Sequence, residues 1–325
     1  MRALPWLVAD IGGTNMRLGR ILTPGGAVQD LARFDTPREG DLAPALLPYL
    51  DRFATDRPRT AALAVAGPIV EDHVQLTNSG AHLTQSFAEQ LLRLDAIVLV
   101  NDLEAVAAAL PRLGSAEVRA LGPDLETLSG GTRLVLGCGT GCGVGSAVWA
   151  GDHWHVVASE GGHLPFPPRT DRDRRWHDHI AASLPVEAEG RVTYDRVLCG
   201  SGLEALAAVI AVEMGQPALL KSEAIVAAAR AGTDAVAVET ARHFARWVAS
   251  AGGDLAQVFM ARGGVYLAGS LLESLEPFLA DATAHRAFTA KWPHSLVLEK
   301  FPLRLIVDPK APLIGLGECL SRPGA

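Results

Sequence analysis

Short apolar runs, each ended by glycine, asparagine or aspartate, mark out the first third of the chain. Residues 4–11 predict a buried strand, and 16–22 and 28–34 predict two more. A helical pattern follows at 42–54, then strand-like runs at 60–66 and 96–100. The three-strand opening repeats at 133–137, 143–149 and 153–159. Helical periodicity then dominates over 202–214, 222–231 and 234–251, with Ser222 and Glu223 suited to a helix start and Gly232 to a stop. Strands return at 264–268, opening into a helix over 271–279, and at 303–307. Strands followed by helices in both halves predict a layered α/β architecture. Residues 121–132 read as a surface connection between the halves. Residues 165–189, rich in Pro, Arg and Asp, read as an insertion or loop.

Composition narrows the class. At 325 residues the chain exceeds the usual size of a single core, so two lobes are expected. Hydrophobic residues at 49% and charged residues at 20% suffice for substantial cores. The formal net charge is −7, and the arginines within 172–175 are interrupted by Asp173 and read as a solvated loop. Duplex nucleic acid is therefore not an expected partner. No apolar run reaches the roughly 20 residues that cross a bilayer, and no signal peptide is visible, so a cytoplasmic protein without membrane partners is expected. The cysteines, at 138, 142, 199 and 319, read as small buried thiols; a Cys-x3-Cys spacing without a second Cys or His pair does not build a tetrahedral zinc site.

The candidate chemistry begins at Asp10-Ile11-Gly12-Gly13-Thr14-Asn15, between two predicted strands. Two glycines let a phosphate approach backbone N–H groups, the hydroxyl and amide add donors, and a strand-end carboxylate suits Mg²⁺. A purely structural hairpin has the same pattern. A second strand–glycine–strand unit runs through Gly137-Cys138-Gly139-Thr140-Gly141-Cys142-Gly143-Val144-Gly145, and a third glycine turn, Gly263 to Gly269-Ser270, leads from strand to helix. This order resembles the actin-like ATPase and sugar-kinase superfamily, in which two related halves clamp a nucleotide.

Asn101-Asp102 ends the apolar run Ile97-Val98-Leu99-Val100, at the carboxyl end of a strand, where α/β proteins bind ligands. Asp102 reads either as a general base toward a sugar hydroxyl, with Asn101 holding another hydroxyl, or as a helix cap. In Ser159-Glu160-Gly161-Gly162-His163, Glu160 and His163 flank two glycines; they read as converging on a small polar ligand, or as a solvated Glu and a packed His in a turn.

Together these stretches resemble the bacterial glucokinase family of ATP-dependent hexokinases. The match runs through residues 9–17, 66–69, 76–78, 100–105, 137–144, 160–163, 196–203 and 263–269, in the family's order, and spans 8–320. The resemblance implies a two-lobed actin-like ATPase (ribonuclease H-like) fold with a duplicated mixed-sheet core. It implies a small lobe over 1–110 completed by a C-terminal helix at 311–325, and a large lobe over 111–310. The implied activity is ATP-dependent phosphorylation of glucose at the 6-hydroxyl, in a cleft that closes on the sugar, usually in a homodimer. By the same resemblance Asp102 is the catalytic base, and Asn101, Gly139, Glu160, His163 and Asp195 bind the sugar. Gly12, Gly13, Thr14 and Asn15, with Gly139, Thr140 and Gly141, hold the phosphates of ATP. Gly269 lies by the adenosine, and Asp10 organises Mg²⁺.

Three positions depart from the family pattern. Asp195 stands where Glu is usual, Ala268-Gly269-Ser270 replaces Ala-Gly-Gly, and Ser-Gly-Ala-His follows Asn78 in place of an aromatic residue. The first and third touch the sugar side, so a kinase preferring mannose or glucosamine is the alternative within the class. The repressor–kinase branch is disfavoured. Gly162-His163 leads into Leu-Pro-Phe-Pro-Pro without the branch's zinc cysteines, and only nine residues precede Asp10, too few for a helix-turn-helix. A filament-type or chaperone ATPase would need no Asn101-Asp102 or Glu160/His163 set.

Overall fold

In a computed structural model, the described residues are 3–67, 69–76, 80–219 and 221–321. The chain divides into two compact units. One comprises Met1–Gly114, Trp154–Val156 and Asp308–Ala325; the other comprises Ser115–His153 and Val157–Val307.

The first unit holds a five-stranded mixed sheet. Its order is Gln29–Asp35, Asn15–Ile21, Trp6–Ile11, Thr60–Val65, Ala96–Asn101. The first three strands form an antiparallel meander, and the last three run parallel. Trp6–Ile11 and Thr60–Val65 are buried along their whole length, as expected of central strands covered on both faces. One face packs on helices Ala43–Leu50 and Gln85–Leu92 through Leu46, Tyr49, Ala88 and Leu92. The other packs on helix Ala311–Ser321 through Leu313, Leu316 and Leu320.

The second unit's sheet repeats this topology. Arg133–Cys138 pairs antiparallel with Cys142–Trp149; on its other side Arg133–Cys138 runs parallel to Gly264–Ala268, which runs parallel to Leu303–Ile306. Val118–Ala120 adds an antiparallel edge. Helices Gly200–Met214, Ser222–Ala231 and Ala235–Phe259 contribute Leu206, Ile225, Phe244 and Val248 to the core against this sheet.

Several elements differ from the sequence expectation. Residues 165–189 are not a loop: Thr170 and Asp173 close a capping box that starts helix Asp171–Ser183, whose Trp176 and Ile180 are buried. The arginines there are not solvated on a loop but paired on that helix, Arg172 with Glu213 and Glu239 and Arg175 with Glu213. The helix expected over 234–251 continues to Phe259 through Gly252-Gly253. A Cβ at Gly253 would lie 2.1 Å from the carbonyl of Phe288, so this glycine serves a close helix approach rather than a helix stop. The helix expected over 271–279 breaks at Leu275, ahead of Pro277. Helix Ser222–Ala231 does begin at the expected residue, with Lys221 as its N-cap. A four-stranded sheet of Glu39–Asp41, Gly80–Thr84, His73–Gln75 and Ile69–Val70 was not foreseen. Pro68, Thr77, Asn78 and Ser79, which carry parts of the family-like stretches, lie outside the described residues.

Candidate active site

In the first unit, strand register gathers the candidates at one end of the sheet. Ile11 pairs with Val65, and Val65 with Asn101, so the Gly12-Gly13 hairpin and the Asn101-Asp102 pair leave parallel strands on either side of Thr60–Val65 at the same level. At roughly 4.8 Å per strand spacing, their backbones are about 10 Å apart.

The hairpin is braced from its own unit. Gly12 N donates to Asn15 O at 3.1 Å, Thr36 Oγ1 to Gly12 O at 2.6 Å, and Thr36 N to Thr14 O at 2.9 Å. Arg33 Nε donates to Asn15 Oδ1 at 3.0 Å. Thr36 was missed from sequence; it is an isolated threonine past the end of a strand, with nothing local to single it out. A Cβ built on Gly13 meets nothing within 4 Å, and Gly13 is not among the residues with positive φ. Neither packing nor backbone conformation inside the protein calls for glycine here. What the position offers is bare backbone open to a ligand.

Asp10 is 9% exposed, and Arg17 lies 3.2 Å from its carboxylate. Burial raises its pKa and Arg17 partly offsets this. Arg17 is itself held by the Pro309 carbonyl at 2.9 Å. Among the described residues no cluster of three metal-ligating side chains occurs. One buried carboxylate at the hairpin still suits Mg²⁺, which commonly takes one or two carboxylates and completes its shell with phosphate oxygens and water.

Asn101 caps helix Asp102–Ala109: its Oδ1 accepts from Leu103 N at 2.9 Å, a bond that does not use the amide NH₂. Asp102 is the first residue inside the helix, and its Oδ1 also lies 2.9 Å from Leu103 N. Capping thus falls mainly to Asn101. The position of Asp102 is fixed by the helix start, which itself rests on helix Ala311–Ser321: a Cβ on Gly315 would come 1.7 Å from the carbonyl of Ala105.

In the second unit, Gly139–Gly141 turns between Arg133–Cys138 and Cys142–Trp149, with Gly139 N donating to Gly141 O at 2.8 Å. Gly200 N, at the start of helix Gly200–Met214, donates to Gly139 O at 3.0 Å. Asp195 Oδ1 accepts from Cys142 N at 2.8 Å, and a Cβ on Gly141 would come 2.4 Å from that oxygen. Asp195 therefore spends one carboxylate oxygen on bracing the glycine turn. Gly139, like Gly13, would place a Cβ in open space. Gly269 differs: it has φ 115° and a Cβ there would come 2.2 Å from the carbonyl of Cys138, so the fold itself requires this glycine. Glu160 precedes the short turn Gly161–His163 and His163 ends it, with exposed side chains 3.7 Å apart.

The structure thus brings Asp10, Gly12, Gly13, Thr14, Asn15, Asn101 and Asp102 to one sheet end of the first unit. In the second it gathers Gly139, Thr140, Gly141 and Asp195, with Gly269 packed on Cys138 beside this turn and Gly162, between Glu160 and His163, against the Cys142 carbonyl. Each group carries one glycine hairpin and at least one carboxylate.

Comparison with known proteins gives a consistent result. Residues 7–323 match the family model described as glucokinase. A glucokinase of Mesorhizobium japonicum is 38% identical over 327 residues, covering 98% of this chain and 92% of its own length. A crystal structure of glucokinase from an Antarctic psychrotroph superposes with a TM-score of 0.85 at 30% identity, covering 97% of this chain and 98% of the other. A glucokinase from Balamuthia mandrillaris, solved in complex with glucose, superposes with a TM-score of 0.80 at 20% identity over 98% of this chain and 93% of its own, which shows the shared fold. The fold is the two-lobed actin-like ATPase fold with a duplicated mixed-sheet core. The chain belongs to the glucokinase family.

Proposed function

We propose that the protein transfers the γ-phosphoryl group of ATP to the 6-hydroxyl of glucose. The observation that carries this reading is the match along residues 7–323 to glucokinases, including relatives that align over nearly their whole length. Formation of glucose 6-phosphate from glucose and ATP, followed by a coupled assay across several divalent metals, tests it; no product with any metal overturns it.

In this reading the two units act as a small and a large lobe. Phosphoryl transfer passes through a loose transition state, so positioning and charge neutralisation dominate catalysis. The open backbone at Gly12, Gly13, Thr14 and Asn15 and at Gly139, Thr140 and Gly141 holds the phosphates, with Gly269 near the adenosine. Asp10 is the residue that would hold Mg²⁺, which when bound supplies charge neutralisation on the phosphate oxygens. Asn101, Gly139, Glu160, His163 and Asp195 bind the sugar hydroxyls. Asp102 accepts the 6-hydroxyl proton as that oxygen bonds to phosphorus and ADP departs. We take the protein to act in the cytoplasm as a homodimer, the latter checked by light scattering after size exclusion.

A second reading, broader hexose use including mannose or glucosamine, is favoured by Asp195. It is one methylene shorter than the family's usual Glu, and one of its oxygens is engaged by Cys142 N. A hexose panel with ATP separates the two: a mannose or glucosamine kcat/KM equal to that for glucose favours the second.

A further inference from the structure

A cavity of about 490 Å³ opens in the second unit between helix Ala235–Phe259, helix Ala282–Thr289 and the stretch 166–173. Its volume falls in the range of small-molecule sites. Phe166 and Trp247, packed edge to face, supply an apolar wall.

The charges around it are unbalanced in one direction. All three acidic residues in the lining are already engaged. Asp173 accepts from His243 Nε2 and Trp247 Nε1, each at 2.8 Å, and from the backbone at Thr170. Glu239 is ion-paired with Arg172. Asp254 takes both Arg169, at 2.7 Å to each oxygen, and Lys291 at 2.9 Å. Arg242, Arg246 and Arg286 also line the cavity, and none has a carboxylate within ion-pair distance among the described residues. Asp281, which also lies within electrostatic reach of Arg242, is committed to Thr283 at the start of its helix. Arg242 and Arg246 stand one turn apart on the same helix face, where like charges repel. Guanidinium groups in this arrangement match phosphate oxygens in fork geometry.

We propose that this cavity binds a small organic phosphate carrying two or more negative charges. Arg242, Arg246 and Arg286 grip its phosphates and its carbon skeleton lies on Phe166 and Trp247. The residues are distinct from the glycine hairpins and from the sugar-binding set, so the site is additional to the one proposed for phosphoryl transfer and does not depend on that reading.

Calorimetric titration with inorganic pyrophosphate and with a hexose 1,6-bisphosphate, at matched ionic strength and without nucleotide or glucose, tests it. The hairpins remain intact in Arg242→Ala/Arg246→Ala, so the difference between wild type and this variant isolates the cavity. Affinity for the bisphosphate is expected to fall roughly ten- to hundredfold in the double variant, and the wild type is expected to bind the bisphosphate more tightly than pyrophosphate. Equal affinity in wild type and variant overturns the site, and equal affinity for the two probes overturns its assignment to an organic phosphate. Labelling of the unmutated protein with a dicarbonyl reagent, read by mass spectrometry, gives a check that no substitution can perturb. The bisphosphate should protect Arg242, Arg246 and Arg286 but leave Arg230 unprotected; undiminished labelling of all four overturns the proposal.

Discussion

At Gly13 and Gly139 the missing side chain answers to nothing inside the protein, since a Cβ at either meets no atom within 4 Å. An alanine at Gly13 should therefore change stability by less than about 1 kcal/mol. It should still raise the KM for ATP several-fold, because the added methyl occupies the space a phosphate would use. Thermal unfolding and initial rates on the same sample separate the two effects; an unchanged KM would remove the hairpin from the nucleotide site. For Asp102, Asn keeps the size and an oxygen that can meet Leu103 N but not the base. Its kcat should drop roughly 10²–10⁴-fold with a small effect on glucose KM, and turnover within a few-fold of wild type would refute the role. Asp195→Ala should raise the glucose KM at least several-fold, since a hydrogen bond to a charged group contributes roughly 1.5–3 kcal/mol. An unaltered KM leaves Asp195 only its bond to Cys142 N. The glycine hairpins and the Asn101-Asp102 pair were legible because each combines a strand end with residues that packing alone rarely selects. Thr36 was not, because its role depends on a hydrogen bond across a turn. Nor was the engagement of Asp195 by Cys142, which brings together residues 53 apart in the chain.

Among elements, the contact between helix Asp102–Ala109 and helix Ala311–Ser321 links the C-terminal end of the chain to the candidate base. With Ala105 O 1.7 Å from a Cβ built on Gly315, Gly315→Ala forces the helices apart. Overpacking of this kind costs about 1–3 kcal/mol. The variant should lose kcat as well as stability, measured by denaturant unfolding beside steady-state rates; wild-type values of both would contradict the packing argument. Helix Asp171–Ser183 supplies a pH signature. Asp173 is buried, a setting that by itself raises a carboxyl pKa, yet hydrogen bonds from His243, Trp247 and Thr170 outweigh this and hold it well below the usual carboxylate range. Its folded-state pKa lies below its unfolded value, so its stabilisation is present above about pH 4 and is lost as pH falls further. Melting curves of Asp173→Asn should lie below wild type at neutral pH and converge with it under acid; parallel curves down to pH 2 would contradict this. The strands with clean apolar runs were legible. The Ile69–Val70 and Glu39–Asp41 strands were not, being too short to carry a period. Helix Asp171–Ser183 was hidden by a charge-rich stretch whose capping box alone announced it.

Across the molecule, the chain builds a related topology twice: an antiparallel strand pair joined by a glycine hairpin, with parallel strands beside its first strand. This duplication was visible in the sequence as a repeated strand–glycine–strand opening, and it supplies the two hairpins proposed to hold the phosphates. In the proposed function, this architecture delivers the γ-phosphoryl group of ATP to the 6-hydroxyl of glucose. Product analysis by ³¹P NMR with Mg·ATP and either glucose or 6-deoxyglucose tests that claim most directly. The account predicts stoichiometric ADP and glucose 6-phosphate from glucose, and no sugar phosphate from 6-deoxyglucose. ATP turnover unaffected by glucose, or phosphorylation of the 6-deoxy sugar, would contradict it.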